Sequence, residues 1–123
     1  MSVDANAPPT LETLAVKLAE FARERDWDQF HSPKNLAMAL AGEVGEVLEH
    51  FQWLTESQSR DLPPHVREAV ALELADVLLY LVRLADKLGV DLSAAALRKI
   101  ELNAAKYPAD EVRGSSRRPL RPE

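Results

Sequence analysis

The chain has 123 residues, 46% of them apolar and 28% charged, with a net charge of −5 and no cysteine. That balance describes one soluble globular domain with a modest core, too short for two ordinary ones. It excludes a disulfide framework, a thiolate metal site and a cysteine nucleophile, and its acidity argues against a surface built for nucleic acid.

In chain order, MSVDANAPP has neither a basic start nor a hydrophobic segment, so no secretory signal is visible and a cytoplasmic location is expected. Residues 1–9 are expected to be disordered. Thr10 to about Arg25 carries apolar positions at Leu11, Leu14, Leu18 and Phe21, a narrow helical stripe with Pro9 just before it. The polar stretch DWDQFHSPKN follows. Within it Ser32-Pro33 reads as an N-cap and a first-turn proline, starting a second helix that should reach Trp53. TESQSRDLPP reads as a loop. A third helix is expected from about His65 to Leu88, stopped by Gly89 at the position after the cap. Asp91 or Ser93 caps a fourth, which runs to about Lys106 before Pro108 forbids continuation.

No stretch alternates apolar and polar residues between turn signals, so no strand is placed. Charges interrupt every apolar run before the roughly 18 residues of a membrane span, so no membrane partner is expected. The fold class is all-α, a bundle of four main helices over residues 10–107. The stretch 108–123 ends in RGSSRRPLRPE, four arginines among Gly, Ser and Pro, and is expected to be a disordered basic tail, not a nucleic-acid arm.

The chemistry lies in two acidic pairs. AGEVGEVLEH places Glu43 and Glu46 three apart at the border of an apolar helical stripe, and ELAD places Glu73 and Asp76 the same way. Twenty-six residues separate Glu46 from Glu73, and the intervening loop is short enough for antiparallel neighbours. The four groups are either solvated edge residues paired to Lys and Arg, or carboxylates converging beside a core. Two matched pairs beside apolar stripes favour convergence. Converging carboxylates must be protonated or neutralised by divalent cations. An all-oxygen donor set suits a hard ion, Mg²⁺ or Mn²⁺, which keeps positions open for water and substrate phosphates. A di-iron bundle site is rejected, because it needs Glu-x-x-His on two helices and His50 stands four residues after Glu46. Ala41, Gly42 and Gly45 lie on another side of the helix and are expected to let a neighbouring helix approach closely.

The blocks RDWDQFHSPKNLAMALAGEVGEVLEHFQW, ELADVLLYLVRLAD and VDLSAAALRKIELNAAKYP, in that order, resemble the all-α nucleoside triphosphate pyrophosphohydrolases, the MazG-like family, and within it the dCTP pyrophosphatase branch. The resemblance implies hydrolysis of an α–β phosphoanhydride to a monophosphate and pyrophosphate, with Glu43, Glu46, Glu73 and Asp76 as Mg²⁺ ligands and catalytic groups. The substrate it implies is dCTP or a 5-modified dCTP, in nucleotide pool sanitation. The alternatives are a dUTP or broad-range triphosphate pyrophosphohydrolase, or a non-catalytic helical metal-binding module.

The same resemblance implies a base and sugar pocket formed by Trp27, His31, Trp53 and Tyr80, with Lys99, Asn103, Lys106 and Tyr107 on its fourth-helix side. Trp27 or Trp53 can stack on a base, and Asn103 offers both donor and acceptor. Lys34, Lys99 and Lys106 are the phosphate partners. Trp53 could equally be core packing, and His31 could simply satisfy the helix start. Leu74, Leu78, Leu79, Leu81, Val82 and Leu84 make the third helix apolar on several faces, which one small bundle cannot bury. A homo-oligomer is therefore expected, and the resemblance points to a tetramer, a dimer of dimers with sites completed across an interface.

Overall fold

The computed structural model describes residue 6 and residues 8–116. Of the residues expected to be disordered at the two ends, 1–5, 7 and 117–123 lie outside the described residues. Among the described residues the secondary structure is helical, with no strand, and no helix is long and apolar enough to cross a membrane.

Helix α1 (Leu11–Glu24) opens on a reciprocal cap: the Thr13 N–H donates to Thr10 Oγ1 at 3.2 Å and the Thr10 N–H donates to Thr13 Oγ1 at 2.8 Å. Two otherwise orphaned donors are thereby satisfied. It closes on a feature the sequence reading missed. Asp26 takes a left-handed φ of 54°, while the Asp26 and Trp27 N–H groups donate back to Arg23 and Ala22 carbonyls at 3.1 and 2.8 Å. This is a Schellman closure with Asp standing where Gly is usual. It throws the chain into a 3₁₀ turn over Asp28–Phe30 and sets Trp27 at the turn's entry.

Helix α2 (Pro33–Glu49) begins as read, with the Asn35 N–H donating to the Ser32 hydroxyl at 3.2 Å. It ends four residues short of Trp53. Phe51 and Gln52 both donate to the Leu48 carbonyl at 2.9 Å, and Thr55 then caps a single turn, α3 (Glu56–Ser59), inside the expected loop. Helix α4 (Pro64–Lys87) ends in a second Schellman closure, this one legible from its glycine. Gly89 has φ 67°, and Gly89 and Val90 donate to the Asp86 and Ala85 carbonyls at 3.1 and 2.9 Å.

These elements form one compact unit, Met1–Val90. Within it α4 is central, packed along α2 and more lightly against α1. The core is small: Ala22, Leu36, Val70, Val82 and Ala85. Contacts fix the direction of the two long helices, since His31, just before the cap of α2, meets Arg83 near the end of α4 while Glu43 meets Glu73 nearer the helix middles. The helices are antiparallel.

The second unit, Asp91–Glu123, holds α5 (Leu92–Lys106) and α6 (Ala109–Val112). Asp91 is the cap, accepting from the Ala94 N–H at 3.0 Å. Pro108 ends α5 and leads into α6, one helical turn at the start of the stretch read as tail.

Candidate metal centre and adjoining pocket

The antiparallel packing of α2 against α4 brings acidic groups from both helices together. Carboxylate oxygens of Glu43, Glu73 and Asp76 all lie within 4.8 Å of one another. Glu46, exposed, sits close enough to share hydrogen bonds with both Glu43 and Glu73. One oxygen each of Glu43 and Glu73, both Oε2, is buried with no hydrogen-bond partner.

Such an arrangement is uncomfortable for charge. Glu43 is held above its ordinary carboxyl range, first by the hydrogen bond with Glu46, then by burial, then by the negative charges of Glu46, Asp76 and Glu73. Glu73 is raised in the same way, with His50 as a minor opposing neighbour. His50 stands outside the cluster itself. Buried, partnerless carboxylate oxygens beside like charges are the donor set a divalent cation would satisfy. The chain's residues therefore fit such an ion.

Asp76 also borders a cavity of about 470 Å³ between α1, the 3₁₀ turn and α4. Leu14, Leu18, Phe21 and Leu79 make most of its wall apolar, and Lys17, His31, Tyr80 and Arg83 supply polar groups. Phe21 and Trp27, both part-exposed on its wall, meet edge to face at 5.7 Å.

Of the residues singled out in the sequence, Trp27, His31, Tyr80 and Asp76 share this cavity. Lys34 is exposed in the first turn of α2 and is not among its lining. Trp53 is 87% exposed, so the core-packing reading of it is wrong: α2 has already ended, and the ring stands off the fold. Lys99, Asn103, Lys106 and Tyr107 belong to the second unit. There the Tyr107 N–H donates to the Asn103 carbonyl at 2.8 Å, and the Lys106 ammonium lies 5.2 Å from the Tyr107 ring centre. Gly42 and Gly45 have nothing within 4 Å of a would-be Cβ, so among the described residues of their own unit no helix packs closely against them.

Two groups of the site escaped the sequence reading. Leu14, Leu18 and Phe21 were legible only as a core stripe. Arg83 had a signal, a lone cation inside the apolar run LLYLVRLAD, and the structure buries it to 5% exposure.

The MazG-like family model matches residues 39–118, which include both acidic pairs. The chain is 51% identical over 112 residues to human dCTP pyrophosphatase 1, covering 89% of this chain and 66% of that protein. It is 51% identical over 110 residues to the Mus musculus protein of the same name, covering 88% and 65%. It thus spans just under two thirds of the length of these relatives. Among solved structures, a pyrophosphatase from Archaeoglobus fulgidus DSM 4304 superposes with a TM-score of 0.71 at 38% identity, covering 86% of this chain and 99% of that one. A family match across most of the chain, with the acidic helices inside it, settles the kinship: this protein belongs to the MazG-like family.

Proposed function

We propose that the chain is a nucleoside triphosphate pyrophosphohydrolase, cleaving dCTP or a 5-modified dCTP to the monophosphate and pyrophosphate with Mg²⁺ as cofactor. One observation carries this reading. The carboxylate cluster and the cavity are continuous through Asp76, so a ligand seated between the aromatic side chains would direct its polar end towards the acidic groups. The names of the relatives support the same reaction and substrate.

In this reading Glu43, Glu46, Glu73 and Asp76 hold the cation, with Mn²⁺ a possible substitute. Bound there, Mg²⁺ offsets the charge of triphosphate oxygens and makes water a better nucleophile. The rest falls to the protein. Trp27 offers a ring face to a base, Tyr80 a hydroxyl beside Asp76, and His31 a polar edge in the apolar wall. The roles expected of Lys34, Lys99 and Lys106 towards phosphate, and of Asn103, Tyr107 and Trp53 towards base and sugar, belong to the same proposal. Asp76, facing both cluster and cavity, is the carboxylate best placed to help activate water.

A homo-oligomer, a tetramer built as a dimer of dimers, belongs to the same proposal. Leu72, Leu74 and Leu78 on α4 and Met38, Val44 and Leu48 on α2 stay exposed, and the open flank at Gly42 and Gly45 could admit a helix of another copy. So do a cytoplasmic location and a role in nucleotide pool sanitation.

The test is purified protein with Mg²⁺ and a panel of nucleoside triphosphates, scored for pyrophosphate against orthophosphate. Pyrophosphate release with dCTP preferred is expected. Preference for dUTP or no preference would move the substrate, orthophosphate as first product would refute the reaction, and no turnover would leave a metal-binding helical module.

A further inference from the structure

Arg83 is the buried charged residue among those described, and neither the acidic cluster nor the proposed chemistry uses it. Its Nε donates to His31 Nδ1 at 3.1 Å, its Nη2 to Asp28 Oδ1 at 2.7 Å, and its Nη1 to Asp86 Oδ2 at 3.4 Å. Lys87 also contacts Asp28. The guanidinium therefore ties the end of α4 to the 3₁₀ turn and to the residue just before the cap of α2.

A guanidinium has donors and no acceptor. His31 Nδ1, which receives its N–H, must point a lone pair at Arg83. In a neutral imidazole the proton then sits on Nε2. A proton on Nδ1 would set two N–H groups face to face, and in the imidazolium two positive charges as well. His31 lines the cavity, and Nε2 is the ring nitrogen left for a ligand.

We infer that Arg83 is a positioning residue that locks His31 as the neutral Nε2–H tautomer, giving the cavity a fixed hydrogen-bond donor for a carbonyl or ring-nitrogen acceptor on a nucleobase. The nucleobase clause rests on the proposed function; the tautomer does not. The charges around His31 agree. Its basicity is held below the ordinary value of 6.5 by burial first, then by Arg83 and Lys87, with only Asp28 opposing. Asp86 faces Arg83 and not the ring, and Lys17 and Asp76 are the charged groups elsewhere on the cavity wall. Sequence alone could not show this, because 52 residues separate Arg83 from His31.

The test compares Arg83→Gln, which keeps an N–H donor at the same distance along the side chain, with Arg83→Met, which keeps length without a donor. Long-range ¹H–¹⁵N NMR of the full chain should show His31 neutral and protonated at Nε2 in wild type and Arg83→Gln, and mixed tautomers in Arg83→Met. With dCTP, Arg83→Met should raise KM about twofold at about pH 8 with kcat nearly unchanged, because only about half of His31 then carries the competent tautomer. That KM gap should narrow as pH falls towards about 6, because the imidazolium again carries an Nε2 proton. A merely structural arginine would give no such pH-dependent recovery. A wild-type His31 that is charged or protonated at Nδ1 near neutrality would overturn the inference. So would a wild-type KM in Arg83→Met, or equal losses in both variants. If Arg83→Met does not fold, the wild-type and Arg83→Gln spectra decide. If wild type turns over no dCTP, the substrate reading fails while the His31 spectrum still confirms or refutes the tautomer.

Discussion

Glu43 and Glu73 each keep one carboxylate oxygen buried and partnerless, and each binds its proton more tightly than an ordinary carboxyl. For groups raised in the folded state, the stability they contribute is complete below the unfolded value of 4.5 and is lost as pH rises through the folded value. Asp28, lowered chiefly by its hydrogen bond from Lys87, has the opposite sign: its contribution holds above 3.8 and is lost as pH falls through its lowered value. In chelator, the melting temperature should therefore drop as pH rises from just above the carboxyl range towards neutrality, and saturating Mg²⁺ should remove that slope. A flat profile in chelator would contradict the crowding. At neutral pH, Glu43→Gln should melt higher than wild type without metal, since one buried like charge is gone. The same substitution, and Asp76→Asn, should lower kcat/KM for dCTP by at least about a hundredfold, given that even outer-shell partners of metal ligands cost 10–100-fold. Full activity in both would remove the metal-site reading.

At the scale of helices, the chain's punctuation is mostly chemical and local. Ser32, Thr10 and Asp91 cap because their side-chain oxygens reach an orphan N–H, and Gly89 ends α4 because it enters the left-handed region without a Cβ clash. Asp26 performs the same closure for α1 with no glycine to announce it, so the turn that presents Trp27 and Asp28 was invisible beforehand. The α2–α4 pair then depends on few buried anchors. Leu36, 2% exposed on α2, is the largest fully buried side chain. Leu36→Ala should destabilise the protein by about 2–5 kcal/mol in denaturant unfolding, the range for leucine truncation in a packed core. A loss within about 0.5 kcal/mol, typical of surface positions, would show that the helix pair is anchored elsewhere.

For the whole molecule, the imbalance between core and exposed apolar surface is the governing fact. A chain whose central helix shows Leu72, 66% exposed, and Leu74, 54% exposed, leaves much of its apolar surface in water. Light scattering after gel filtration should report a mass of about four chains at micromolar concentration, and a monomer would refute the assembly. Replacing Leu72 and Leu74 by Glu should lower that mass while helix content by circular dichroism is kept. An unchanged mass would place the interface on another face.

Sequence by itself determined the all-α class, the four long helices, the stops and starts at Ser32 and Gly89, and the two acidic pairs, because helical periodicity and capping act within a few residues. It also left Trp53 undecided, and only the folded chain puts that ring in solvent. Tertiary structure decided which carboxylate oxygens converge, that Asp76 faces both cluster and cavity, and that Arg83 reaches His31 and Asp28 across 52 and 55 residues. Those contacts depend on the register of two antiparallel helices, a long-range quantity that no local pattern encodes.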